Sequence, residues 1–242
     1  MKFFCTRFKE IDSTNAEAKR YVSGGGGLPA LLISETQTEG RGRLGRSFYS
    51  LDDRGLYMTV VLKAPTDNAF LRVTSLAAVC VTESLKELFG VKTKIKWVND
   101  IFIFGKKAGG ILAESFFVDD ERYIAVGFGI NLYTDIPADL YDIATSIFSG
   151  PIDSYTLNTQ RNALANLITE KLLTALESDD FFSYMQIYRS RSCVINSDIT
   201  FVENGVSYSA FAYDITDSGE LCVRLADGSE RTLSSGEISV KM

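Results

Sequence analysis

Apolar and polar residues alternate over residues 3–8 well enough for a short first strand. Asp12-Ser13-Thr14-Asn15 then reads as a helix start, with Thr14 and Glu17 fitting a capping box. That helix runs towards Tyr21 and stops at the four glycines 24–27. Ala30 to Glu35 is a continuous apolar run, the pattern of a buried strand, and Leu56 to Leu62 is a second strand rich in β-branched residues. From Phe70 to Leu88 the spacing becomes helical (Leu71, Ala78, Val79, Leu85, Leu88), and Gly90 ends it. Ile95–Trp97, Ile101–Phe104, Gly110–Phe117 and Tyr123–Ile130 follow with short connections, the pattern of adjacent strands with a hairpin at Gly105-Lys106. A second long helix covers roughly Leu157 to Tyr188, with a break near Ser178-Asp179-Asp180. After Ser192 short β-rich runs (Ile199–Val202, Ser207–Asp214, Leu221–Leu225, Ile238–Val240) alternate with turns at Asn204-Gly205, Ser218-Gly219 and Asp227-Gly228. The expected organisation is an α/β region over 1–189 and a small antiparallel β-barrel over 190–242.

The length of 242 residues suits that division, one domain of ordinary size and one small one. A net charge of −6 argues against a protein devoted to nucleic acid. Cys5, Cys80, Cys193 and Cys222 are scattered, no C-x-x-C pair exists, and the chain has no histidine. No zinc site of the usual spacing can be written, so neither zinc nor haem is expected, and the cysteines read as reduced thiols of a cytoplasmic protein. Any metal would be a hard ion held by carboxylates and phosphates. Lys2, Arg7, Lys9 and Glu10 interrupt any signal-peptide core, and no apolar run is long enough to span a membrane.

Against this acidic background, Gly40-Arg41-Gly42-Arg43-Leu44-Gly45-Arg46 packs three arginines and three glycines into one loop. Glycines allow close backbone approach and arginines supply fixed donor forks, a combination suited to an anion. Three further groups stand out. Ser13-Thr14-Asn15 offers hydroxyls and free N–H groups at a helix N-terminus, although capping alone would account for it. Lys96-Trp97-Val98-Asn99-Asp100 puts an aromatic ring, a cation and an anion within five residues, where Asn-Asp alone would be a turn. Lys107-Ala108-Gly109-Gly110-Ile111-Leu112 sets a charge beside open backbone.

In order and spacing, Ser13-Thr14-Asn15, Glu35-Thr36-Gln37, Gly40–Arg46, Lys96–Asp100, Lys107–Leu112 and Gly127-Phe128-Gly129-Ile130-Asn131 resemble the biotin protein ligases. Asp217–Leu221, Ala226–Gly228 and Ser235–Ile238 resemble the small C-terminal barrel of the same family. The resemblance implies a central mixed sheet flanked by helices, as in class II aminoacyl-tRNA synthetases, followed by a barrel like Src-homology-3 folds. It implies ATP-dependent formation of biotinyl-5′-adenylate and transfer of biotin to a lysine of a biotin carboxyl carrier domain, with Mg²⁺. The same resemblance places the start of the catalytic region almost at Met1, so no DNA-binding domain is expected. A homodimer is left open.

Residue by residue, the resemblance puts Ser13, Thr14, Asn15, Gln37, Gly40, Arg41, Gly42, Arg43, Lys107, Gly110 and Leu112 around biotin. It puts Arg41, Arg43, Arg46, Phe48, Lys96, Asn99, Lys107 and Asn131 around ATP, and Asp100 at the metal. Lys107, Arg43 and Asp100 are the catalytic candidates, Asp100 being the one candidate base for the transfer step. Three positions depart from the family pattern. Val98 stands for the usual proline, which is expected to loosen the turn; Leu44 replaces a basic residue; and Phe48 stands where a tryptophan often covers adenine. Elementary chemistry agrees with the implied reaction. A carboxylate is ionised at pH 7 and needs no general base, while repulsion between anions calls for fixed cations and Mg²⁺. Lipoate–protein ligase and a non-catalytic biotin-binding regulator remain the alternatives.

Overall fold

The protein is described by a computed structural model covering residues 2–64, 70–178, 180–203, 205–236 and 238–240. The first part is a seven-stranded mixed sheet. Its strands are β1 (Phe4–Ile11), β2 (Ala30–Gln37), β3 (Leu56–Lys63), β4 (Lys94–Lys96), β5 (Asp100–Ile103), β6 (Lys106–Val118) and β7 (Glu121–Ile130), in the order β1-β2-β3-β7-β6-β5-β4. β1 and β2 are parallel and the remaining pairs antiparallel. Helix α1 (Thr14–Ser23) makes the crossover between the two parallel strands.

The apolar run at Ala30–Ile33 is uninterrupted because both faces of β2 are covered. Ala30 and Leu32 pack with Ala18 and Val22 of α1. Leu31 and Ile33 join a larger core with α2 (Phe70–Phe89) and α3 (Ser154–Glu177) on the other face. The second long helical pattern is two helices, α3 and α4 (Phe181–Arg191). Asp180 caps the second, its side chain accepting from Ser183 N at 3.3 Å; Asp179 lies outside the described residues.

The capping box at Thr14 and Glu17 is not formed. Ser13 is the N-cap, its Oγ accepting from Ala16 N at 3.4 Å, and Glu17 pairs with Arg20 instead. The shift by one residue turns Thr14 inward, where it is 3% exposed.

The C-terminal part is a five-stranded antiparallel sheet ordered β11-β10-β9-β8-β12, from β8 (Ser197–Glu203), β9 (Val206–Ile215), β10 (Leu221–Leu225), β11 (Glu230–Leu233) and β12 (Ile238–Val240). β11 carries few apolar residues and was not legible as a strand. Asn204 of one expected turn and Glu237 of the tail motif lie outside the described residues. This sheet shares a core with the first part: Ile199, Phe201, Leu221 and Val223 belong to the α2–α3 cluster.

The β4–β5 turn is locked rather than loosened by Val98. The Trp97–Val98 peptide is cis and both side chains are buried. Trp97 Nε1 donates to Gly219 O at 2.9 Å, and Tyr188 Oη donates to Val98 O at 2.9 Å. Burial raises the Tyr188 phenol above its ordinary range, which keeps it a donor. Packing by Tyr188 and the C-terminal sheet therefore supplies the restraint expected of proline.

Candidate active site

A cavity of about 340 Å³ opens on the α1 side of the large sheet, within the size range of small-molecule sites. Its walls come from the start of α1, the Gly/Arg loop, the β4–β5 turn, the start of β6, the middle of β7 and the chain around β12.

One end is polar and closely hydrogen-bonded. Asn15 Nδ2 donates to Leu112 O at 3.1 Å and to Glu114 Oε2 at 2.7 Å, while its Oδ1 accepts from Thr59 Oγ1 at 2.7 Å. Gln37 Oε1 accepts from Thr14 N at 2.8 Å and from Thr14 Oγ1 at 3.1 Å. These bonds fix Thr14, Asn15 and Gln37 before any ligand arrives, and such a satisfied buried network is rigid. Gly127 makes room for it: a Cβ there would sit 2.2 Å from Asn15 Oδ1.

The other end is cationic. Ile101 faces Gly109 across the ladder and Phe102 faces Lys107, so Ala108 is an extra residue, a β-bulge. The bulge buries Ala108 and leaves Lys107 in the cavity wall, with Nζ 2.7 Å from Asp100 Oδ1. Gly110 floors this ion pair; its Cβ would lie 3.3 Å from both Asp100 Oδ1 and Lys107 Nζ. The Lys107 backbone is held by a segment with no sequence signal, Lys107 N donating to Ile143 O and Thr145 N to Lys107 O, both at 2.9 Å.

The Gly/Arg loop is a small hairpin. Gly42 N donates to Arg46 O at 2.7 Å, and Leu44 (φ 56°) and Gly45 (φ 75°) form its tip in the left-handed region. Leu44 is 72% exposed, so the tip stays in solvent. Arg43 turns inward and Nη1 donates to Asn99 Oδ1 at 3.1 Å, while Asn99 Nδ2 donates to Ile111 O at 2.9 Å. Phe48 packs edge-on to Tyr57, ring centroids 6.4 Å apart, and over Gly129, where a Cβ would meet the Phe48 ring at 2.6 Å. Lys96 Nζ lies 5.5 Å from the Phe102 ring centroid. Arg41, Arg43, Arg46, Lys96 and Lys107 thus face a cavity whose single lining carboxylate, among the described residues, is Asp100.

The Biotin/lipoate A/B protein ligase family profile matches residues 10–131, and the Biotin protein ligase C terminal domain profile matches residues 194–241. The chain belongs to the biotin/lipoate A/B protein ligase family. Among its relatives, Bifunctional ligase/repressor BirA of Bacillus subtilis is 37% identical over 142 residues, 57% of this chain. That match spans 44% of the relative, less than half its length. Biotin–[acetyl-CoA-carboxylase] ligase of Mycobacterium tuberculosis is 27% identical over 237 residues, 95% of this chain and 86% of that protein. The fold is that of the biotin protein ligase from Aquifex aeolicus solved in complex with biotin and ATP, with a TM-score of 0.79, 23% identity and 98% of both chains covered.

Of the residues expected from the family pattern, Ser13, Thr14, Asn15, Gln37, Arg41, Gly42, Arg43, Arg46, Phe48, Lys96, Asn99, Asp100, Lys107, Gly110 and Leu112 line the one cavity. Two do not. Gly40 is buried beneath the loop, where a Cβ would be 2.2 Å from Ser50 Oγ. Asn131 spends its side-chain amide on Thr145 O at 3.1 Å, fastening the segment behind Lys107. Gly127, Gly129, Gly236 and Ser239 line the cavity without having been assigned a site role. For the first two, Gly-x-Gly inside an apolar strand was the available signal of close approach. The last two are brought by the C-terminal part: Gly236 belongs to the Ser235–Ile238 motif, which points to the barrel and not to the cavity, and nothing local marks Ser239.

Proposed function

We propose that the protein is a biotin–[acetyl-CoA-carboxylase] ligase, joining biotin to a lysine of a biotin carboxyl carrier domain through biotinyl-5′-adenylate. The observation that carries this reading is the juxtaposition, in one cavity, of a preformed polar end (Thr14, Asn15, Gln37) and a cationic end (Arg43, Lys96, Lys107). The polar end suits a ureido ring, with Ser13 at its edge and Leu112 beside the apolar chain. At the cationic end the biotin carboxylate oxygen attacks the α-phosphorus of ATP. The bond from that phosphorus to the bridging oxygen breaks and pyrophosphate leaves. Lys107 and Arg43 offset the repulsion between carboxylate and phosphate, and Arg41, Arg46 and Lys96 extend the positive field towards the triphosphate. Phe48, half-buried against Tyr57, offers an aromatic face or edge to the adenine.

In the second step the neutral amine of the carrier lysine attacks the acyl carbon, an amide forms and AMP leaves. Asp100 is the candidate to receive the amine proton, and its ion pair also holds the Lys107 ammonium in place. With one lining carboxylate among the described residues, the donor set fits a magnesium ion carried largely by phosphate oxygens and water, with Asp100 as its protein ligand. Such an ion would supply charge neutralisation at the phosphates. The C-terminal profile match favours biotin over lipoate.

The test is pyrophosphate–ATP exchange with biotin or lipoate added separately. Exchange with biotin alone is expected; exchange with lipoate alone would overturn the reading. Arg43→Gly gives a second expectation. Loss of one charge-assisted contact, worth roughly 1.5–3 kcal/mol, should release the adenylate about 10–100 times faster. Free adenylate would then label bystander lysines, scored by blotting a mixed protein pool with streptavidin. Wild-type release and wild-type labelling would remove Arg43 from the site.

A further inference from the structure

At the β4 edge the sequence Lys92-Thr93-Lys94-Ile95-Lys96 alternates strictly: Thr93 and Ile95 are buried, Lys92 and Lys94 exposed, and Lys96 reaches the cavity. Lys94 faces Phe102 across the ladder, and Phe102 in turn faces Lys107. Lys94, Lys96 and Lys107 therefore surround one half-buried ring on the cavity side of the sheet. The β5–β6 turn adds Phe104, 90% exposed. Among the described residues no carboxylate lies within ion-pair distance of Lys92 or Lys94, although the chain as a whole is acidic. Two aromatic side chains bordered by lysines form a surface of the kind that docks a protein, with apolar anchors and a charged rim. Its position is constrained as well, since it runs without interruption into the wall that holds Lys107.

We propose that Lys92 and Lys94, with Phe102 and Phe104, dock an acidic face of the acceptor domain and so bring its target lysine to Lys107. The inference rests on the ligase reading above. The net charge of −6 sets a general repulsion towards an acidic partner, which the lysine row offsets locally. Such a rim acts mainly on encounter, and salt weakens it. Lys92 and Lys94 lie outside the cavity, so activation of biotin should not depend on them.

The experiment compares wild type with the double variant Lys92→Glu/Lys94→Glu in two assays. One is biotin-dependent pyrophosphate exchange; the other is biotin transfer to a purified acetyl-CoA carboxylase carrier domain at several salt concentrations. The expected result is unchanged exchange, an acceptor KM raised about tenfold or more with kcat held, and a flatter salt dependence. A carrier domain with surface carboxylates changed to lysine should recover transfer by the variant. Phe104→Ser should raise the acceptor KM with the salt dependence kept. Wild-type acceptor KM in the double variant would overturn the docking surface while leaving the ligase intact. Parallel loss of exchange and transfer would overturn it too, by assigning the lysines to the nucleotide, as would nucleic acid binding lost in the variant with transfer unaffected. No exchange by wild type would remove the ligase reading itself, and this inference with it.

Discussion

Lys107→Gln should lower the rate of adenylate formation by about 10²–10³ while leaving the fold in place, the usual cost of losing one preorganised charge-stabilising group. The side chain is 36% exposed and belongs to no apolar cluster, so its removal costs the core little. What it provides is position. The bulge at Ala108 aims it, the bonds to Ile143 and Thr145 hold its backbone, and Asp100 at 2.7 Å holds its ammonium. Lys107→Arg should recover only part of the rate, because a planar guanidinium cannot reproduce a point charge at the same site above Gly110. Single-turnover pyrophosphate release at saturating ATP and biotin measures the effect. A Gln variant within about threefold of wild type would end the transition-state role.

Gly127→Ala should weaken biotin binding on the order of 10²-fold although it adds one methyl group. Gly127 pairs with Leu112 on one side and Thr59 on the other, and alanine suits a strand at least as well as glycine. The damage is local. The new Cβ would lie 2.2 Å from Asn15 Oδ1, so the Asn15 side chain has to leave. It then forfeits the bond from Thr59 and the charge-assisted bond to Glu114, together about 2–4 kcal/mol. Calorimetric titration with biotin measures the affinity, and a melt that stays cooperative while falling by the several degrees this loss implies separates it from unfolding. Because both changes break one network, Gly127→Ala and Asn15→Ala combined should cost little more than either alone. Additive costs would show that Gly127 acts elsewhere.

The elements of the fold were legible wherever periodicity was strong. The buried runs at Ala30–Glu35 and Leu56–Leu62 and the helix from Phe70 follow from residue pattern alone, whereas the hairpin expected at Gly105-Lys106 turns one residue earlier, at Phe104-Gly105, with Lys106 already paired to Ile103. The helix start failed by one residue because Ser13 and Thr14 are both good caps, and local chemistry does not choose between them. The choice comes from the sheet, which offers Gln37 and Thr59 as partners for Thr14. The strand at Glu230–Leu233 had no apolar pattern to show, since an edge strand next to β10 is specified by backbone pairing.

The residue types of the site are written in short stretches of the chain. Glycines and arginines in one loop, a lysine before two glycines and a polar helix start are properties of short segments, and each segment carries its chemistry with it. Which of them meet, and what holds them, depends on how the chain folds. The tertiary structure placed Arg43 on Asn99 and Lys107 on Asp100, and it closed the cavity with Gly236 and Ser239 from the C-terminal sheet. It also gave Asn131 and Gly40 supporting positions outside the cavity. The reason is physical: a side chain's type is local, but its partners and its burial are set by long-range packing between elements far apart in the chain.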